Sequence, residues 1–235
     1  MKKVIDKSDS RGYFDHGWLK THHTFSFANY RNPNRVHFGA LRVLNDDTVL
    51  PTEGFGMHPH RNMEVVSIPL KGYLRHGDSI DNEETITPGD VQVMSTGTGI
   101  FHKEYNDSDT EELKFLQIWI IPNEEETPPE YHNYDIRPLL KDNELVTFIS
   151  PKGGEAEAQL RQETWFSMGT FDAGKQISYQ LKGKNTGVYF FIIEGDVNIA
   201  DEELSDRDGI GVWDTDEVSL KFNSKARVLA IEVAM

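Results

Sequence analysis

The sequence predicts an all-β protein made of two consecutive β-barrels. Three observations carry this. Short segments rich in Val, Ile, Thr and Tyr alternate in polarity between Gly, Pro and Asn marks, the pattern of strands joined by turns. The order of segments in the first half returns faintly in the second, with Gly72 aligning on Gly195 and residues 87–91 resembling 207–212, an internal-repeat signature. Between the halves, Pro122-Asn-Glu-Glu-Glu126-Thr-Pro-Pro129-Glu130 strings acids and prolines together. Such a run pairs poorly in a sheet, so the expected domains are 1–130 and 131–235.

Residues 1–30 are rich in aromatics, with His16, His22 and His23 among them. They read as a segment packing across the first barrel, in which Trp18, His23 or Phe25 is placed to wall a site. Turns at Pro33-Asn34 and Asn45-Asp-Asp47 bracket a strand at 36–44 that carries a structural His37, since Asn and Asp tolerate turn backbone. Residues 64–70, 73–77 and 85–94 continue as a meander, and 113–121 reads as a further strand. In the second half the strands fall at 146–150, 165–171, 177–181, 187–194, 197–200, 218–222 and 227–233, with a short helix expected at 155–160.

The chemistry concentrates in residues 54–106. Side chains two apart on a strand share a face, so His58 and His60 point one way together, as do His102 and Glu104. If the two strands lie close, three imidazoles and a carboxylate converge. Such a set suits a divalent transition metal with positions left for water or substrate. Glu64 has the same parity as His60 and competes with Glu104 for the carboxylate role. All nine histidines lie at or before His132, so the second barrel cannot rebuild a three-imidazole site. His76 and Asp78 read as a solvated turn, with a proton-handling pair as the alternative.

Other chemistries are excluded or unsupported. The chain has 24 basic and 39 acidic residues, a net charge of −15, which argues against nucleic acid or anionic membrane as partner. The absence of cysteine removes disulfides, thiolate catalysis and Cys-type zinc sites. The start of the chain lacks the apolar run of a signal peptide and no stretch reads as a membrane span, so a cytoplasmic protein is expected. Gly97-Thr-Gly99 is followed by no Lys-Ser/Thr and is not a nucleotide loop. Ser67, Ser79 and Ser95 lack a nucleophile elbow.

The stretch from Gly54 to Asn106 resembles the cupin superfamily. His58, His60, Glu64 and Gly72 fall close to the first cupin motif, and Gly99, His102 and Asn106 match the end of the second. Gly54 stands nearer to His58 than that motif has it, and Gly97 occupies the position of its usual proline. Within the cupins, the wording is similar to pirin and its bacterial relatives. It is carried by Gly17-Trp18, residues 24–30, Gly54-Phe-Gly-Met-His-Pro-His60, Met63-Glu64, Pro88-Gly-Asp90, Gly97-Thr-Gly99, His102-Lys-Glu104 and Gln117-Ile-Trp119.

The resemblance implies jelly-roll barrels and a metal held by His58, His60, His102 and Glu104, with Glu64 in a supporting role. It implies iron(II) as occupant, with Mn, Co, Ni, Cu and Zn as alternatives. It also implies a quercetin 2,3-dioxygenase-like oxidoreductase that opens a flavonol-type ring with O₂ and releases carbon monoxide. In such a reaction a carboxylate with its affinity for protons raised by burial can take the substrate proton, and Glu104 is the nearest candidate. The expected partners are a small aromatic substrate and O₂, acting on a monomer. The alternative it raises is a metal-binding regulator working through a protein partner.

Overall fold

The computed structural model describes residues 1–235 and is all-β: 22 strands and one 3₁₀ turn at Ser8–Ser10, with no α-helix. No helix is long and apolar enough to cross a membrane. The strands form two barrels, each a seven-stranded sheet with a four-stranded sheet.

The first barrel comprises Gly12–His37 and Leu41–Arg137. Its larger sheet runs Glu130–Asp135, Asp90–Ser95, Glu64–Lys71, Leu113–Ile120, Leu41–Val49, Leu19–His23, Gly12–Asp15, every pair antiparallel. Its smaller sheet runs Gly54–His60, Ile100–Asn106, Leu74–Asp78, Glu83–Ile86. Leu19, Val49, Leu113 and Phe115 of the larger sheet meet Leu74 and Ile86 of the smaller in one apolar cluster. Val65, Met94, Ile100 and Tyr131 form another. Along Ile100–Asn106 burial alternates, with Ile100, His102, Glu104 and Asn106 inside. That period of two delivers functional side chains to the interior. Asn106 ends the strand by donating to the carbonyls of Val49 and Glu111.

The second barrel comprises Met1–Arg11, Phe38–Ala40 and Pro138–Met235. Its larger sheet runs Lys2–Asp6, Gly209–Trp213, Thr186–Glu194, Ala226–Ala234, Thr164–Phe171, Val146–Pro151, Ala158–Leu160; its smaller sheet runs Gln176–Gln180, Glu217–Phe222, Val197–Ile199, Glu202–Leu204. The core is apolar and aromatic: Phe171 stacks on Phe222 with ring centroids 4.0 Å apart, beside Phe190, Val188 and Val228. Phe171, Phe190 and Phe222 are each fully buried. One carboxylate interrupts this core. Glu232, fully buried, accepts from Tyr179 Oη, Thr186 Oγ1 and the backbone N–H of Lys182 and Gly183 at 2.7–3.0 Å.

The barrels are not contiguous in sequence, unlike the expected 1–130 and 131–235 segments. Lys2–Asp6 pairs antiparallel with Gly209–Trp213, from Lys2 opposite Trp213 to Asp6 opposite Gly209. It covers an edge that would otherwise present unpaired backbone. Lys7 donates to the buried Asp208 at 2.8 Å, and Ser8 N–H adds a second bond to it at 2.8 Å. At the other boundary Glu130–Asp135 joins the first barrel by pairing with Asp90–Ser95. The expected helix at 155–160 is absent. Ala158–Leu160 instead pairs parallel to Val146–Pro151, with Ala158 and Leu160 turned into the core.

Because Phe222 and Phe171 fill each other's contact surface, Phe222→Ala leaves a cavity at the centre of the second barrel. Truncations of this kind cost about 3–5 kcal/mol. Urea unfolding monitored by tryptophan fluorescence should show a loss of that size.

Candidate metal centre

The site is built where Gly54–His60 and Ile100–Asn106 run side by side. His102 lies directly opposite His58, and Ile100 opposite His60. The register then slips: Glu104 is opposite Phe55, so Gly56 and Met57 together face the single residue Lys103. This is a β-bulge, which re-aims side chains beside it. Phe55 packs inward and Gly56 and Met57 turn out. The bulge also frees a carbonyl: His58 Nδ1 donates to Gly56 O at 2.7 Å. A carbonyl only accepts, so the His58 proton is fixed on Nδ1 and Nε2 offers its lone pair to the interior.

The three rings converge. Centroids of His58 and His102 are 4.4 Å apart, His60 and His102 4.7 Å, and His58 and His60 4.9 Å. One nitrogen from each lies within 4.8 Å of the others. Burial, then the neighbouring His102 and His58, pushes the His60 imidazole down to about 4. Burial, then His58 and His76, pushes His102 to about 3. Both rings are therefore neutral at physiological pH, the form that ligates a metal.

Glu104, buried beside them, is held from the larger sheet. Gln117 Nε2 donates to its Oε2 at 2.8 Å, and Ser67 Oγ lies 3.2 Å from its Oε1 and 3.0 Å from Gln117 Oε1. Its charge partly offsets the downward shift of His60. Glu64 is equally buried and accepts from Ser95 Oγ at 3.2 Å. Asp47, on Leu41–Val49, is pushed up to about 7, chiefly by burial and further by the charges of Asp46 and Glu104.

Residues that sequence reasoning missed complete the surroundings. Trp119 meets His60 edge-on at 4.8 Å, and Phe27 meets Trp119 edge-on at 5.2 Å. The aromatic wall against the histidines is thus Trp119, backed by Phe27. Of the expected wall residues, Trp18 packs on Phe55, Phe25 is fully buried under Arg35, and His23 donates to Asn45 Oδ1. His76 and Asp78 are not a solvated turn: both side chains are fully buried and bonded at 2.9 Å. Gln117 had a legible signal, since it is the lone amide in an otherwise apolar strand centre.

The residues fit a metal. Both His102 ring nitrogens are buried with no hydrogen-bond partner, a state that costs about 1–3 kcal/mol per polar group unless a ligand satisfies it. Three converging imidazoles with a carboxylate at hand suit a divalent transition ion.

Residues 4–120 match the family described as Pirin, and residues 147–233 match that described as Quercetinase C-terminal cupin domain. The chain belongs to the pirin family. Quercetin 2,3-dioxygenase of Escherichia coli strain K12 is 37% identical over 229 residues, covering 97% of each chain. A pirin-like protein of Caulobacter vibrioides is 36% identical over 234 residues, covering 98% of this chain and 100% of the relative. The crystal structure of bacterial pirin YhhW from E. coli in complex with nickel(II) superposes with a TM-score of 0.93 at 35% identity, covering 99% of each chain. The all-β, two-barrel cupin fold expected from the sequence is thus observed.

The depressed imidazoles give this pirin a defined pH response. Above about pH 6.5 folded and unfolded chains both hold His60 and His102 neutral. Below it the unfolded chain binds protons that the folded chain refuses, so stability falls as pH drops toward about 4. Urea titrations of metal-free protein should show that decline for wild type and a shallower one for His60→Ala. An ordinary imidazole is about nine-tenths protonated at pH 5.5. Nickel(II) affinity, read by calorimetry at pH 7.5 and 5.5, should therefore fall far less than three ordinary imidazoles would dictate.

Proposed function

We propose that this chain is a metal- and O₂-dependent dioxygenase that opens a flavonol-type ring and releases carbon monoxide. The observation that carries the reading is the convergence of the His58, His60 and His102 imidazoles, with Glu104 buried on the same strand as His102. The 37% identical quercetin 2,3-dioxygenase, aligned over nearly both whole chains, supplies the substrate class. In this reading His58, His60, His102 and Glu104 hold one divalent ion, iron(II) being the proposed occupant. When bound, the ion supplies Lewis-acid stabilisation of a deprotonated hydroxyl and an electronic route between substrate and O₂. In the overall change both atoms of O₂ enter the products and one ring carbon leaves as carbon monoxide.

The chain's own residues do the rest. In this reading Glu104 would accept the proton of the substrate's 3-hydroxyl, a positioned-base role of the kind that contributes about 10²–10⁴-fold. Gln117 and Ser67 keep the carboxylate in place before and after the transfer by their bonds to Oε2 and Oε1. Trp119 stands perpendicular to the His60 ring, with Phe27 packed against Trp119, an aromatic wall suited to a planar aromatic molecule.

Anaerobic loading with Fe(II), then quercetin and air, with flavonol loss and carbon monoxide recorded together, tests the reading. Wild type should consume quercetin with matching carbon monoxide, and His102→Ala should do neither. Glu104→Gln that retains metal should lose about 10²-fold or more in kcat; an unchanged rate removes Glu104 as base. Absence of turnover with Fe, Mn, Co, Ni and Cu alike would overturn the enzyme reading in favour of a metal-binding regulator.

A further inference from the structure

Beside the three imidazoles lies a fourth histidine that the proposed chemistry does not use. Leu74–Asp78 pairs with Ile100–Asn106 on the side away from Gly54–His60, placing Asp78 opposite His102 and His76 opposite Glu104. All four side chains are buried. His76 Nε2 bonds Asp78 Oδ2 at 2.9 Å, and the His76 ring stacks on Tyr131 at 4.3 Å and 15°. His76 Nδ1 is buried without a partner, and so are both nitrogens of His102. The two rings stand 5.4 Å apart, centroid to centroid, inclined by 49°. A nitrogen-to-nitrogen hydrogen bond between imidazoles places their centroids about 5 Å apart.

We infer that Asp78 and His76 form a positioning relay that fixes the tautomer and tilt of His102. The relay rests on the metal-centre reading: one His102 nitrogen faces the ion, so the other carries a proton and needs an acceptor. Ligand histidines are held in this way by an outer partner, commonly a carboxylate or carbonyl. Here the acceptor is His76 Nδ1, and Asp78 makes it one. Asp78 is surrounded by donors, the backbone N–H groups of Ile80 and Asn82 and the Asn82 side-chain amide, so its oxygens accept; the His76 proton therefore sits on Nε2 and Nδ1 keeps its lone pair.

The surroundings of Asp78 give a sharp test. Its Oδ1 accepts from the backbone N–H of Ile80 at 2.9 Å and of Asn82 at 3.1 Å. Those two donors cannot move, so in Asp78→Asn the amide oxygen must take the Oδ1 position. The NH₂ then faces His76 Nε2 and donates to it, while Asn82, whose Nδ2 now meets Oδ2 at 2.9 Å, can turn its own amide. The His76 proton is driven to Nδ1, where it confronts the N–H of His102. An isosteric change thus reverses the relay without altering packing. His76→Phe is the companion variant, keeping a ring on Tyr131 but offering no acceptor.

Cobalt(II) binding by calorimetry, the visible spectrum of the cobalt protein and the melting temperature of the metal-free protein are measured on wild type and both variants. Expected are affinities about 10- to 100-fold weaker in both variants, with an altered cobalt spectrum. A second acceptor should rescue: His76→Gln, whose amide oxygen reaches toward His102, should regain part of the affinity. Wild-type affinity and spectrum in Asp78→Asn and His76→Phe, whatever their melting temperatures, would overturn the relay while leaving the metal centre intact. Failure of the wild-type protein to take up cobalt would overturn both.

Discussion

The site depends on one constraint: a strand presents every second side chain to the same face, and two strands paired at a fixed register bring their pairs together. His58 opposite His102 is that register here. A slip of one residue would turn His102 and Glu104 to solvent and bring Phe101 and Lys103 inward. The register is held by what flanks it. Asn106 ties one end of its strand to Val49 and Glu111, and the bulge at Gly56–Met57 absorbs the residue that would otherwise break the alternation. The bulge does a second job, since the carbonyl it releases is the one that orients His58.

Both barrels bury carboxylates, and they treat them in opposite ways. In the second barrel Glu232 is surrounded by donors from Tyr179, Thr186 and two backbone amides, so its lone pairs are occupied and nothing is left for a ligand. Burial and the neighbouring Glu232 also drive the Tyr179 hydroxyl upward, keeping it a neutral donor. In the first barrel Glu104 has a lighter hold, from Gln117 and Ser67, and stands beside imidazole nitrogens that have no partner at all. Buried polar groups without partners are costly, so a closed network is what stability alone would select. The open one marks the barrel that binds something.

Much of this was legible before any coordinates. Parity alone placed His58 with His60 and His102 with Glu104, because that signal is local. Turn chemistry misled at Asn45-Asp-Asp47, which lies inside the strand Leu41–Val49, paired on both sides. The larger failures were non-local. The pairing of Lys2–Asp6 with Gly209–Trp213 is made by backbone bonds across most of the chain, and no side-chain pattern at either end announces it. His76 and Asp78 share a face by the same parity as the other pairs, yet the glycine between them suggested a turn. In the fold Gly77 sits on a continuous strand, opposite Lys103 on one side and Glu83 on the other. The aromatic wall failed for a related reason: Trp119 meets His60 from Leu113–Ile120, a strand of the larger sheet, and no local pattern marks that contact.

Burial explains why the ligand imidazoles need outside help with their protons. Desolvation removes the charged form of His60 and His102, which readies them for a metal but leaves each ring with two tautomers, only one of which points a lone pair at the ion. His58 resolves the choice with a backbone carbonyl two residues away, a solution available because the bulge has already bent the chain. His102 lies on the unbulged partner strand, whose carbonyls are engaged on both sides by the pairings to Gly54–His60 and Leu74–Asp78. A regular central strand has no carbonyl to spare for its own side chains. An acceptor for His102 must therefore come from a neighbouring side chain, and the buried polar pair next to it is the one the adjacent strand supplies.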